Sequence, residues 1–282
     1  MTPLEAVFLG VLQGLTEFLP ISSTAHLTLA GKLFGFIDPR HPEAWTQFIA
    51  VMQLGTLAAV LIYFRRESVG MLKSLVRDLI TKGIGVRNYA PESLLALFIA
   101  LGTIPVALIG YGLKHFIEGA LTKTTLVLVA SLVTMAALLW LAEKVSRRSK
   151  SFEQITWVDA LVIGCAQALA LIPGASRSGT TLTAALFLGL NRNAAARFSF
   201  LLSIPAVLAS GLFEMVRINK SVFELGMVNL AIATIVSGLA GYAAIAWLLR
   251  YLMKNTTMVF VWYRFALGLA LTLMLFWGVI EP

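Results

Sequence analysis

Charge is what this chain has least of. Asp, Glu, Lys and Arg make up 13% of its 282 residues and hydrophobic residues 59%, with a mean hydropathy of +0.86. Soluble domains carry roughly 25% charged residues, so a soluble globular protein is excluded and a polytopic membrane protein is expected. Cysteine is nearly absent: the lone Cys165 rules out an internal disulfide framework and says little about compartment. Acidic residues are fewer than basic ones, leaving a net charge of +8. The basic residues fall in short loops between apolar runs, as membrane topology requires, so nucleic acid is not the implied partner. No basic segment precedes the first apolar run, so no cleavable signal peptide is expected. Thr2-Pro3-Leu4-Glu5 reads instead as a helix start, with Thr as N-cap, Pro at the first helical position and Glu closing a capping box.

A membrane-spanning helix needs about 20 mainly apolar residues. The runs 3–19 and 24–36 are shorter and are separated by Pro20-Ile21-Ser22-Ser23, which predicts a re-entrant hairpin rather than two spans. Broken backbone of that kind is tolerated only where protein or a wet cavity covers it. Six spans are expected at 44–64, 93–113, 124–143, 194–216, 227–249 and 257–279, with Pro105 and Pro205 kinking the second and fourth. Between the third and fourth lies a second short pair, 156–172 and 178–190. Residues 66–82, apolar at helical spacing, form either a helix on the inner membrane surface or a solvated basic loop.

The two short pairs echo each other. Gly10-x-x-Gln13 and Gly164-x-x-Gln167 open them, and each reaches a proline and then small and hydroxyl residues. Three spans separate the pairs, and an odd number inverts the second copy, giving an inverted repeat of about 1–145 and 154–282. Fourteen Lys and Arg residues fall in loops on one side and six on the other. That bias puts the richer loops in the cytoplasm and both termini outside. The expected fold is therefore all-α and integral to the membrane, with six transmembrane helices and two opposed re-entrant hairpins.

Polar chemistry at membrane depth is a functional-site hypothesis by default. Gln13 and Glu17 are four apart and share a helical face, where an amide oxygen and a carboxylate suit Mg²⁺ or Ca²⁺ held with substrate phosphates. Glu17 is equally a buried acid paired with Arg177, and both readings stand together. Ser22 and Ser23 cap the second half-helix and leave its N–H groups facing a pocket, a ready anion site with Thr24 beside it. With Ser23 as N-cap, His26 falls at N3 on the same edge, so Ser23 is a candidate nucleophile with His26 as base, or His26 activates water. In 173–181, Gly174 permits close backbone approach, Ser176, Ser178 and Thr181 offer hydroxyls, and the Arg177 fork matches phosphate oxygens. A tight hairpin with back-bonded hydroxyls would explain the serines and threonines but not Arg177. Gln53 is a further polar residue at pocket depth.

From 9 to 276 the chain resembles the undecaprenyl-diphosphate phosphatases, also called bacitracin-resistance proteins. The likeness rests on an (E/Q)-x-x-x-E motif matched by Gln13 and Glu17, on P-x-S-S-T-x-H at 20–26 and on P-G-x-S-R-S-x-x-T at 173–181. The resemblance implies hydrolysis of a C55 isoprenyl diphosphate to its monophosphate and inorganic phosphate, with a divalent cation, Mg or Ca. It also implies the outer face of the bacterial plasma membrane and a part in recycling the peptidoglycan lipid carrier. Mapped residue by residue, it gives Gln13 and Glu17 as metal-associated, Ser23 as candidate nucleophile and His26 as the family histidine. Ser176, Arg177 and Thr181 grip the diphosphate. Two departures stand out: Gln13 removes one anionic ligand, and Ala25 replaces the commoner Gly.

Three other functional classes compete. A lipid-carrier flippase or other inverted-repeat transporter fits the architecture, but transport needs sidedness, whereas phosphate release does not. The phosphatidic-acid-phosphatase type needs a second His beyond the Arg, and none follows Arg177. An intramembrane serine protease has little use for Arg177. The oligomeric state, a homodimer included, is left open.

Overall fold

The computed structural model describes residues 1–37, 42–112, 124–216 and 226–280. Arg40, Lys114, Lys123, Arg217 and Lys220, used above for orientation, lie outside the described residues, as do His41 and His115.

The N-terminal capping box forms as written: Thr2 Oγ1 accepts from the Glu5 N–H and the Glu5 carboxylate from the Thr2 N–H, opening α1 (Pro3–Phe18). Its 16 residues give a rod of about 24 Å, short of the roughly 30 Å of a bilayer core. Pro20 stops the helix, and α2 (Ser23–Leu33) packs back along it. The second pair repeats this: α7 (Trp157–Ala168), a 3-10 turn at Leu169–Leu171, and α8 (Arg177–Phe187). The helices after both breaks have 11 residues.

Among the described residues, six helices are long and apolar enough to cross a membrane. They are α3 (Pro42–Tyr63), α5 (Pro91–Gly112), α6 (Thr125–Val145), α9 (Arg192–Val216), α10 (Met227–Lys254) and α11 (Met258–Phe276). The chain is thus an all-α integral membrane protein with no named strand among the described residues. Span α10 runs on to Lys254 instead of stopping at 249, because Arg250 and Lys254 suit the negative end of a helix. Residues 66–82 are helical, within α4 (Arg65–Lys82), so the loop alternative is set aside. Val69, Leu72, Val76, Leu79 and Ile80 are exposed on it, while buried Asp78 fastens it to α5. Asp78 accepts from the Ala90 N–H at 2.6 Å and the Ser93 hydroxyl at 2.8 Å, and pairs with Lys82 at 2.9 Å. The Ala90 N–H and the Lys82 ammonium, with Ser93, hold its carboxyl down to about 2.

The lead helix of each short pair is seated on a span from the other half of the chain: α1 lies along α10, and α7 along α5. Glycine makes both seats. A Cβ on Gly14 would fall 2.6 Å from the Ser237 carbonyl of α10, and one on Gly164 would overlap the Gly102 backbone of α5. The two half-helices are thereby brought tip to tip at the centre, with Ser178 Oγ of α8 donating to the Leu19 carbonyl at 3.0 Å. Phe18 meets Phe200 of α9 edge-on at 5.3 Å beside this junction.

Candidate active site

The two broken helices begin alike. Ser22 is the N-cap of α2 and Ser176 that of α8, at φ 74° and 71°, left-handed values that few non-glycine residues adopt. Each hydroxyl accepts from the N–H three residues on, Ala25 at 3.3 Å and Gly179 at 3.2 Å. This corrects the expected register: Ser22, not Ser23, is the cap. With Ser22 as cap at positive φ, Ser23 takes the first helical position, and its hydroxyl bonds Glu17 of α1 while His26 bonds Ser22 and Tyr263.

At that position Ser23 Oγ donates to Glu17 Oε2 at 2.8 Å. Gln13 Nε2 donates to the same oxygen at 3.0 Å. Arg177, in the matching position of α8, donates through Nη2 to Glu17 Oε1 and closes an ion pair between the two hairpins. Glu17 is 6% exposed, so the pair is shielded from solvent. Its desolvation cost is offset only because both carboxylate oxygens are hydrogen-bonded. Two buried polar atoms of the clasp itself have no partner among the described residues: Gln13 Oε1 and Arg177 Nη1.

This clasp forms one wall of a cavity of about 560 Å³. Glu17, Ser23, Thr24, Ser176, Arg177, Gln53 and Gln167 contribute its polar side, and α5 and α9 close the other. On α9 all lining residues follow Pro205, and on α5 all but Thr103 follow Pro105. A proline removes one backbone bond and clashes with the preceding turn, which lets the end of each helix lean away. The volume falls within the range of small-ligand sites, and an apolar wall facing a few converging polar groups is their usual make-up.

Other sequence-predicted residues sit behind the wall. His26 is buried, its Nδ1–H donating to the Ser22 carbonyl at 2.7 Å, so its Nε2 accepts from the Tyr263 hydroxyl at 2.6 Å. It stacks on Tyr263 and does not line the cavity. Thr181 bonds the Arg177 carbonyl at 2.7 Å and Ser199 Oγ of α9 at 2.5 Å. Ser178 bridges to Leu19 and lies 3.2 Å from the Ser176 hydroxyl. Gly174, at φ +90°, packs where a Cβ would strike the Leu128 carbonyl of α6. These residues shape the turns that hold Ser23, Ser176 and Arg177.

Two residues that motif reading left unassigned belong to the same construction. Arg264 of α11 is completely buried, and among the described residues no carboxylate forms a salt bridge with it. Its guanidinium donates to carbonyls of Pro20 in one hairpin turn, Gly174 and Ala175 in the other, and Leu132 of α6, at 3.0–3.2 Å. One side chain therefore ties both turns together. An arginine within an apolar span was the available signal, but partners made of backbone carbonyl leave no trace in sequence. Tyr263, its neighbour, is the second.

A divalent cation can be tested against this geometry. No group of three or more His, Cys, Asp or Glu converges among the described residues, so no all-protein cage exists there. Gln13 Oε1, buried and unpaired beside Glu17, does offer a neutral oxygen next to an anionic one. That fits a hard cation held largely by substrate phosphates and water.

A family model described as bacitracin resistance protein BacA matches residues 6–270. A protein named undecaprenyl-diphosphatase from Syntrophobacter fumaroxidans is 51% identical over 98% of both chains. Another of that name from Myxococcus xanthus is 47% identical over all of this chain and 92% of its own. A third, from Chlorobium chlorochromatii, is 45% identical over the whole of both.

Proposed function

Because the chain belongs to the bacitracin resistance protein BacA family, we propose that it is a membrane-embedded phosphatase of the cell-wall lipid carrier. It hydrolyses undecaprenyl diphosphate to undecaprenyl phosphate and inorganic phosphate. The observation that carries this reading is the clasp of Glu17, Ser23 and Arg177 on a cavity whose opposite wall is apolar. Such a cavity takes a charged head and the first units of a prenyl chain, while the rest of the tail stays in lipid.

The head enters with its oxygens against Arg177. Nη2 already holds Glu17, and the unpaired Nη1 is free for a phosphate oxygen. Ser23 Oγ attacks the terminal phosphorus and its proton passes to Glu17 Oε2, the group it already bonds. The bond from that phosphorus to the bridging oxygen breaks, and undecaprenyl phosphate leaves carrying the bridging oxygen. Water then cleaves the phosphoserine, releasing inorganic phosphate and restoring the Ser23 proton. Arg177 and the free N–H groups of α2 and α8 face the charge that builds on the transferred phosphoryl. His26, held between Ser22 and Tyr263, fixes the turn that aims Ser23. Glu17 and Gln13 Oε1 would hold Mg²⁺ or Ca²⁺, which when bound neutralises part of the diphosphate charge.

The bacterial plasma membrane, with the cavity open to the extracytoplasmic side, is the setting that the charge bias supports. The matched caps at Ser22 and Ser176 support an inverted repeat of about 1–145 and 154–282.

Purified chain in detergent should release phosphate from undecaprenyl diphosphate, with no membrane sidedness required. Arg177→Ala should lower that rate by about 10³-fold, the scale of losing a charge-stabilising donor. Retained turnover in that variant, or no release by the unaltered chain, would overturn the reading. A phosphoserine trapped at Ser23 would separate attack by the side chain from attack by water.

A further inference from the structure

Gln167 closes the last turn of α7, 1% exposed, and is among the residues that line the cavity with Glu17, Ser23 and Arg177. Both amide atoms, Nε2 and Oε1, lack a hydrogen-bond partner among the described residues. Burying a carboxamide without partners is costly, and a leucine or methionine there would pack at no such cost. The cost is explained if the partners arrive with a ligand.

The first hairpin shows why this amide is free. Gln13 occupies the matching place on α1, and its Nε2 is taken by Glu17 one turn on. The residue one turn beyond Gln167 is Leu171, which lines the same cavity and offers nothing to bond. The second copy thus keeps the amide without the acid. Among the described residues, the other fully buried donor without a partner in this cavity wall is Arg177 Nη1.

We infer that Gln167 is a substrate-binding residue that, together with Arg177 Nη1, grips the phosphate oxygens of the lipid diphosphate. Its Nε2 donates to a phosphoryl oxygen, and its Oε1 accepts from a phosphate hydroxyl or an ordered water. A cation is the poorer occupant, because Leu171 and Ala170 adjoin the amide and a free guanidinium N–H shares the cavity. The inference rests on the phosphatase reading but adds a residue outside the family motifs at 13–17, 20–26 and 173–181.

Gln167→Met and Gln167→Glu test it, in the full chain in detergent. The Met variant replaces the amide with an apolar side chain of similar volume. Without ligand, its thermal midpoint should equal or exceed that of the unaltered chain, since an unpaired buried group has been removed. Its KM for undecaprenyl diphosphate, and the inhibition constant of inorganic phosphate, should both rise by about 10- to 100-fold, the loss of a hydrogen bond to a charged group. The Glu variant puts an anion against the phosphates and should be weaker still, with no recovery as Mg²⁺ or Ca²⁺ is raised. A ligand-free midpoint that falls in the Met variant would show the amide to be internally paired and overturn the inference. So would an unchanged KM and phosphate inhibition, or a Glu variant rescued by cation. If the unaltered chain releases no phosphate, the functional reading fails by itself. Protection of that chain against heating by inorganic phosphate, absent in Gln167→Met, would still support the binding role, and equal protection in both would reject it.

Discussion

Arg264 offers the sharpest test of how the site is built. Changing it to Met removes a guanidinium that holds three turn carbonyls, Pro20, Gly174 and Ala175, besides Leu132 in α6. The Leu132 carbonyl lies inside a helix and keeps its intrahelical bond, so the turn carbonyls bear the loss. A buried acceptor left unpaired costs about 1–3 kcal/mol, or roughly 3–9 kcal/mol for three. Against this, the variant no longer buries a cation, which returns several kcal/mol. The net destabilisation should therefore be modest, about 2–4 kcal/mol, and the protein should still fold. Turnover should suffer more than stability. Glu17 and Arg177 sit on separate hairpins, and their clasp depends on turns that Arg264 bonds simultaneously. A displacement near 1 Å at a reacting group costs about 10²-fold, so kcat should fall at least that far. Arg264→Lys should recover part of the stability and little of the rate, because a point charge cannot fork between both turns. The measurements are denaturant unfolding in micelles and phosphate release. A folded Arg264→Met variant that turns over at the original rate would refute the claim that this residue sets the geometry.

Other outcomes follow from the same contacts. Tyr263→Phe leaves His26 Nε2 without its donor, and should cost about 1 kcal/mol in stability and less than about 10-fold in rate; a much larger loss in rate would put His26 on the proton's path. Asp78 carries a depressed carboxyl, so its share of the α4–α5 contact is complete above the ordinary carboxylate value near ~3.9 and is lost as pH falls through about 2. Protection against hydrogen exchange across α4, relative to the intrinsic rate at each pH, should be flat from pH 7 to 5 and fall only in strong acid, and opening already at pH 5 would contradict this assignment. Chelation of divalent cations should depress phosphate release, and Gln13→Glu should lower the Mg²⁺ concentration needed for half-maximal rate by adding an anionic ligand beside Glu17. An unchanged requirement in that variant would remove Gln13 from the cation's surroundings.

How far this was legible in sequence depended on the kind of partner each residue has. The broken helices were readable because Pro20 and Pro173 interrupt runs already too short to cross a bilayer. A carboxylate and a guanidinium in apolar surroundings demand each other, so the pairing of Glu17 with Arg177 was among the readings available beforehand. The register after Pro20 was not, since Ser22 and Ser23 are equally good caps by residue type. Only the positive φ at Ser22 decides that Ser23 turns to Glu17 and His26 to Tyr263. Arg264 and Gln167 escaped for opposite reasons: one is satisfied by main chain, which has no sequence signature, and the other by nothing within the described residues.

The glycine seats under α1 and α7 have a mechanical consequence. Exchange of a binding site between two faces of a membrane requires one half of a protein to swing against the other. Here the lead helix of each short pair is seated at a glycine against the backbone of a span of the opposite half, at Ser237 for Gly14 and at Gly102 for Gly164. Such a joint has no slack, so a swing would have to drag the span along or tear the seat open.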